Sequence, residues 1–157
     1  MTKLTVNNRE YELLGIDART LADVLRNDLA LTGVKVSCAE GECGSCTVLL
    51  DGQPVTSCLV LANQAEGREI ETIESLGTAE NLHPIQQAFV EEQGFQCGAC
   101  TPGFIMSTKA FLNENPAPTE DEASLAMSGN ICRCGAHPYI VSAVMNAAEK
   151  LYQGQDT

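Results

Sequence analysis

Positive charge is scarce in this sequence: nine lysines and arginines stand against 21 aspartates and glutamates, for a net charge of −12. Nucleic acid is thereby excluded as a partner, because its phosphates would be repelled and no basic cluster relieves the repulsion. Long apolar runs are missing too, and none approaches the ~18 residues of a membrane span. The N-terminus, Met1-Thr2-Lys3, passes directly into alternating residues with neither an apolar signal core nor a twin-arginine pair, so a cytoplasmic location is expected. There is no internal repeat, no glycine fingerprint for a phosphate and no poised Ser–His or Cys–His pair, so the chain is expected to hold no catalytic residue of its own.

Cysteine is what the chain has: eight residues in two sets of four. Cys38, Cys43, Cys46 and Cys58 form a C-x4-C-x2-C…C arrangement, which wraps a [2Fe–2S] cluster in plant-type ferredoxins. Gly41 and Gly44 suit such a loop, because they let the backbone pass close to sulfide and turn its amides inward. Structural zinc prefers two short knuckles and fits this spacing poorly, and a disulfide framework belongs to secreted chains. Cys97, Cys100, Cys132 and Cys134 make two close pairs with 31 residues between them. Their spacing leaves three readings open: a cluster, a zinc knuckle, or a redox C-x-x-C pair. Cys132-Arg133-Cys134 favours the cluster, since a tight turn opposite a C-x2-C turn can surround one compact core. With both clusters oxidised, the net charge would fall to about −16.

The two halves differ in period. In the first, Leu4 and Val6, an Asn7-Asn8 turn, and Tyr11 and Leu13 predict a hairpin. Thr20 caps a helix carrying Leu21, Val24, Leu25 and Leu29 on one face. Thr47 to Leu50, the Asp51-Gly52 turn and Val55 predict a second hairpin, and Ile70 and Ile73 a further short strand. In the second half Pro84, a Thr101 cap with Pro102, a Thr119…Glu122 capping box, and Pro138 open four helices. The last of these has a stripe at Ile140, Ala143, Val144, Ala147, Ala148 and Leu151. The expected class is α+β: a β-grasp plant-type [2Fe–2S] ferredoxin domain over residues 1–77, then a four-helix-bundle [2Fe–2S]-binding domain over 78–157. Residues 153–157 look like a disordered tail.

Four linked motifs, Cys38-x4-Cys43-Gly44-Ser45-Cys46, Asp51-Gly52…Ser57-Cys58, Gln96-Cys97-Gly98-Ala99-Cys100-Thr101-Pro102-Gly103 and Gly129-Asn130-Ile131-Cys132-Arg133-Cys134-Gly135, closely resemble the small iron–sulfur subunit of molybdenum hydroxylases. This is the family of xanthine oxidase and aldehyde oxidoreductase, and the match runs from about Leu4 to about Ala148. The resemblance implies two [2Fe–2S] clusters, both quartets acting as ligands, and a hetero-oligomer. In it, a large subunit carries molybdopterin, expected in its cytosine dinucleotide form, and a medium subunit can carry FAD. Electrons would run from the molybdopterin through the Cys97 quartet to the Cys38 quartet, then to FAD or an external acceptor. The resemblance also makes Gln96 and Cys134 candidate contacts to the pterin cofactor. Departures occur at Ser37 and Ser75, where many relatives carry glycine, at Ala99, where an aromatic is frequent, and over Gly135-Ala136-His137-Pro138-Tyr139. His137 and His83 read as residues at helix starts rather than as ligands or proton shuttles. A free-standing two-cluster ferredoxin is the alternative reading, and a zinc-stabilised interaction module a third.

Overall fold

A computed structural model describes residues 1–152. The first half forms strands β1 (Thr2–Val6), β2 (Arg9–Leu13), β3 (Thr47–Leu50), β4 (Gln53–Thr56) and β5 (Glu69–Glu71), with helix α1 (Leu21–Asn27) between β2 and β3. They make one mixed sheet in the order β2-β1-β5-β3-β4, in which only β1 and β5 run parallel. The two expected hairpins form. Asn7 and Asn8 both take positive φ, as do Asp51 and Gly52, which is the backbone a tight two-residue turn requires. Thr20 caps α1 by accepting the Asp23 N–H at 3.2 Å, and Leu21, Val24 and Leu25 pack with Leu4, Val6, Val48, Leu50 and Ile70 as one core. Cys46 and Cys58 belong to that core.

The second half carries α2 (Pro84–Glu91), α3 (Thr101–Glu114), α4 (Glu120–Ala126) and α5 (His137–Tyr152). Its core joins Ile85 and Phe89 of α2, Phe104 and Leu112 of α3, and Ile140, Val144 and Ala147 of α5. The α5 stripe is buried as its period requires, with Leu151 half-buried at its end. Asn115 ends α3 ahead of Pro116, and Thr119 and Glu122 form the expected reciprocal cap of α4. The expected disordered tail, residues 153–157, lies outside the described residues.

Three local expectations need correcting. Leu29 is not on α1, which ends at Asn27 with Asp28 at its C-cap; Leu29 packs half-buried against the core just beyond it. Ile73 is not in a strand: β5 stops at Glu71 and Ile73 opens a 3-10 turn, Ile73–Ser75. Its side chain packs between the two units, beside Leu49, Met106 and Ala110. Thr101 does not cap α3 but is its first helical residue, with Cys100 at the cap position, and its hydroxyl is buried without a partner. Chain direction after the Cys97–Cys100 turn brings the helix in one residue earlier than a threonine cap would.

The small central cluster of Leu49, Met106 and Ala110 joins the halves. All four residues of β3 are buried, because α1 lies on one face of the sheet and α3 on the other. Lys109 of α3 pairs with Glu71 of β5 across the same junction, and the Gln53 amide donates to Glu114 at 2.9 Å.

Candidate iron–sulfur centres

The loop between α1 and β3 carries three of the first four thiols, and Cys58 follows β4. Cys46 and Cys58 are buried, whereas Cys38 and Cys43 are half-buried, so this quartet leans outward on one side. Backbone amides point at its sulfurs. Cys38 takes the N–H of Glu40 at 3.4 Å, and those of Cys43 and Glu42 as well. These donors, Glu40 foremost, draw its thiol down to about 7. Cys58 goes the other way, pushed up to about 11 by burial and by Cys46, while the Gly41 N–H offsets part of the rise. Gly41 and Gly44 both have positive φ, as a loop folded around a small core requires. Cys43 Sγ lies 3.5 Å from Ser45 Oγ.

The second quartet sits between helices. Cys97 and Cys100 lie in the turn before α3, and Cys132 and Cys134 in the loop before α5. The Ala99 N–H, then Cys134, lower the Cys97 thiol. Burial, then Cys132, push Cys100 up to about 12. Burial works against ionisation of Cys132, but the amides of Ala136, Cys134 and Gly135 outweigh it and leave that thiol lowered. Cys97 is exposed.

Within each quartet the sulfurs meet in pairs: Cys38 with Cys43 and Cys46 with Cys58, Cys97 with Cys134 and Cys100 with Cys132. Such pairing suits a two-iron core, in which each iron takes two thiolates. Among the described residues, no three Cys, His, Asp or Glu side chains converge on a single ion position. Four thiols, amide donors aimed at them and glycines at the tight points together form a donor set that fits [2Fe–2S].

The quartets share a wall. A cavity of about 180 Å³ is lined by Cys43 and Ser45 from the first loop and by Cys97, Cys100 and Cys134 from the second. The Ile131 N–H donates to Cys43 O at 2.9 Å, so one hydrogen bond and one residue step separate Cys43 from Cys132. Beside it, the Asn130 amide donates to Gly44 O at 2.9 Å and accepts from Ser107 Oγ at 2.8 Å. Gly103 lets α3 approach, because a Cβ there would run into Gly44 O. Asn130, Ser107 and Gly103 carry no role that sequence reasoning assigned. Only the run Gly129-Asn130-Ile131 ahead of Cys132 and the glycine after Thr101-Pro102 hinted at one.

Gln96 is exposed, next to the exposed Cys97 and Phe95. An apolar groove of about 310 Å³ adjoins it, lined by Phe89, Val90, Phe95, Pro102 and Ile105, and the unpartnered Thr101 hydroxyl belongs to its wall. His137 packs edge-on against Phe104, with ring centroids 6.0 Å apart. His83 caps α2 through its imidazole.

Two sulfur quartets, each in its own core and bridged by a hydrogen bond, define an iron–sulfur protein of the two-centre electron-transfer class. Comparison with known proteins agrees. A 2Fe-2S iron-sulfur cluster binding domain matches residues 4–76 and a [2Fe-2S] binding domain residues 72–145. The chain is 50% identical over 143 residues to the nicotine 6-hydroxylase small subunit of Paenarthrobacter nicotinovorans, covering 90% of this chain and 86% of that protein. It is 47% identical over 156 residues to the nicotinate dehydrogenase small FeS subunit of Eubacterium barkeri, covering 96% of this chain and 98% of that one. The crystal structure of the aldehyde oxidoreductase from Desulfovibrio desulfuricans superposes with a TM-score of 0.93 at 43% identity, over 99% of this chain but only 17% of that longer chain. The protein belongs to the small iron–sulfur subunits of the molybdenum hydroxylase family, that of xanthine oxidase and aldehyde oxidoreductase. It is an electron-transfer subunit of an oxidoreductase complex, and the free-standing ferredoxin reading is not favoured.

Proposed function

We propose that Cys38, Cys43, Cys46 and Cys58 hold one [2Fe–2S] cluster and Cys97, Cys100, Cys132 and Cys134 a second. The chain then carries single electrons from a molybdopterin in a large partner subunit towards FAD in a medium subunit or an external acceptor. The observation that carries this reading is the cavity wall shared by the two cysteine loops, with Cys43 from one and Cys97, Cys100 and Cys134 from the other, joined by the Ile131 to Cys43 hydrogen bond. Each cluster, when bound, takes up and gives back one electron. The chain's own residues hold the sulfurs, and the amides of Glu40, Gly41, Ala99 and Ala136 donate to them, which stabilises the added negative charge of the reduced state.

The N-terminal unit is read as a β-grasp domain and the C-terminal one as a four-helix bundle, divided at Gly77. The exposed Phe95, Gln96 and Cys97, next to the apolar groove, support a surface that the large subunit covers. There Gln96 and the Cys134 neighbourhood would hydrogen-bond the pterin, whose dinucleotide form is taken as the cytosine one. A reducing cytoplasm is the compartment in which eight free thiols persist.

The test is low-temperature electron paramagnetic resonance of the dithionite-reduced, anaerobically purified complex, with iron, zinc and molybdenum measured on the same sample. Two distinct signals with about four irons per chain are expected, and molybdenum only where a larger chain copurifies. Zinc in place of iron, or one signal, would overturn the two-cluster reading. Cys43→Ala should abolish one signal and leave the other, because the quartets lie in separate cores; loss of both would contradict independent sites.

A further inference from the structure

We propose that Asn130 is a positioning residue for electron transfer between the two quartets, fixing how closely the first cysteine loop sits against Cys132. The inference rests on the ligand assignment above. Asn130 is buried, at 6% exposure, and both polar atoms of its side chain are engaged, one across the junction and one within its own half. Its Nδ2 donates to Gly44 O and its Oδ1 accepts from Ser107 Oγ on α3. Gly44 O is a shared hub, since the Thr47 hydroxyl donates to it at 2.7 Å and the Thr47 N–H at 3.1 Å.

Sequence position gives these bonds their consequence. Gly44 lies between the ligands Cys43 and Cys46, and Asn130 lies two residues before Cys132. A tie between them therefore sets the distance between loops that each bear sulfur ligands of a different quartet. Neighbouring groups leave no slack: a Cβ on Gly44 would meet the Asn130 amide, and one on Gly103 would meet Gly44 O. The Ile131 N–H to Cys43 O bond, a direct link between the two cysteine loops, is held in line by its neighbour Asn130. One electron crosses from one quartet's cluster to the other, and no bond or proton changes at Asn130. Its contribution is geometric.

Asn130→Asp is the discriminating variant. It is isosteric and still accepts from Ser107, but it cannot donate to Gly44 O and sets a carboxylate against that carbonyl. Ser107→Ala removes only the bond that orients the amide. The measurement, on the intact holo-complex, is the magnetic splitting between the two centres when both are reduced, with iron content and each centre's own signal recorded in parallel. Asn130→Asp is expected to lose the splitting while keeping full iron and both individual signals, and Ser107→Ala to weaken it. Thr119→Ala, which removes a distant cap, should leave it unchanged even as the melting temperature falls.

An unchanged splitting in iron-replete Asn130→Asp overturns the inference; where that variant does not assemble, an unchanged splitting in Ser107→Ala does so. Failure of the ligand assignment looks different. It would show as missing iron or a missing signal in the unsubstituted protein.

Discussion

His83 holds its imidazole over the first turn of α2, where Nδ1 accepts the Ile85 N–H at 3.2 Å and the Gln86 side chain accepts the His83 N–H at 2.9 Å. Only the neutral ring can accept through Nδ1. Burial, then the nearby Lys109 charge, lower its pKa below the usual 6.5. The unfolded chain therefore binds the proton more readily than the folded one. The stability that neutral His83 provides is full above the unfolded value and is lost as pH falls through about 6.5 towards the lowered folded value. His83→Asn keeps a cap acceptor that does not titrate. Melting curves between about pH 5.5 and 7.5 should show a shallower loss at the acidic end for this variant than for the unsubstituted protein; equal slopes would remove His83 from the pH response. Thr119 is a simpler case. Its hydroxyl accepts the Glu122 N–H while Glu122 returns to the Thr119 N–H at 2.7 Å, and Thr119→Ala should cost about 1 kcal/mol, read from chemical denaturation.

At the scale of elements, β3 and α3 depend on each other. The run Thr47-Val48-Leu49-Leu50 does not alternate as a half-exposed strand would, because Leu49 faces Met106 and Ala110 while Val48 and Leu50 face α1. Leu49→Ala should destabilise the protein by about 2–5 kcal/mol, measured by denaturant unfolding. The glycine that starts α3's approach is as demanding as this contact. Gly103→Ala must push the helix off Gly44, so a lower melting temperature should appear together with weaker coupling between the centres; normal coupling would mean that the first turn of α3 has room to shift.

For the whole molecule, cations are mostly committed to pairs. Lys3 pairs with Glu12, Arg19 with Asp23 and Asp28, Arg68 with Asp51, Lys109 with Glu71 and Lys150 with Glu91. The net charge of −12 favours partners that present positive charge. Phe95, Gln96 and Cys97 are exposed side by side. Gln96→Ala should slow reduction of the iron centres by substrate in stopped-flow experiments while leaving iron content intact. Unchanged reduction kinetics would dismiss a contact between Gln96 and the pterin.

Cysteine spacing, turn residues and caps are local properties, and they carried the reading of the first quartet, both hairpins and the order of the helices, while the second quartet was read through its resemblance to a known family. Asn7-Asn8 and Asp51-Gly52 name their turns because few other pairs tolerate positive φ at both positions, and the stripe from Ile140 to Ala148 names its buried face because period alone fixes it. Ile73 and Thr101 escaped that logic. Each is governed by packing at the junction: Ile73 turns into the cluster around Leu49, and the chain leaving Cys100 enters α3 without waiting for a cap. Asn130 and Gly103 escaped it for the same reason. Residues 44, 103 and 130 are distant in sequence, and no periodicity or spacing says that they touch. The sequence by itself determined the tight turns that present the sulfurs, since each close cysteine run is short-range; only the tertiary structure decided how the two groups face each other, because that depends on α3 lying against β3.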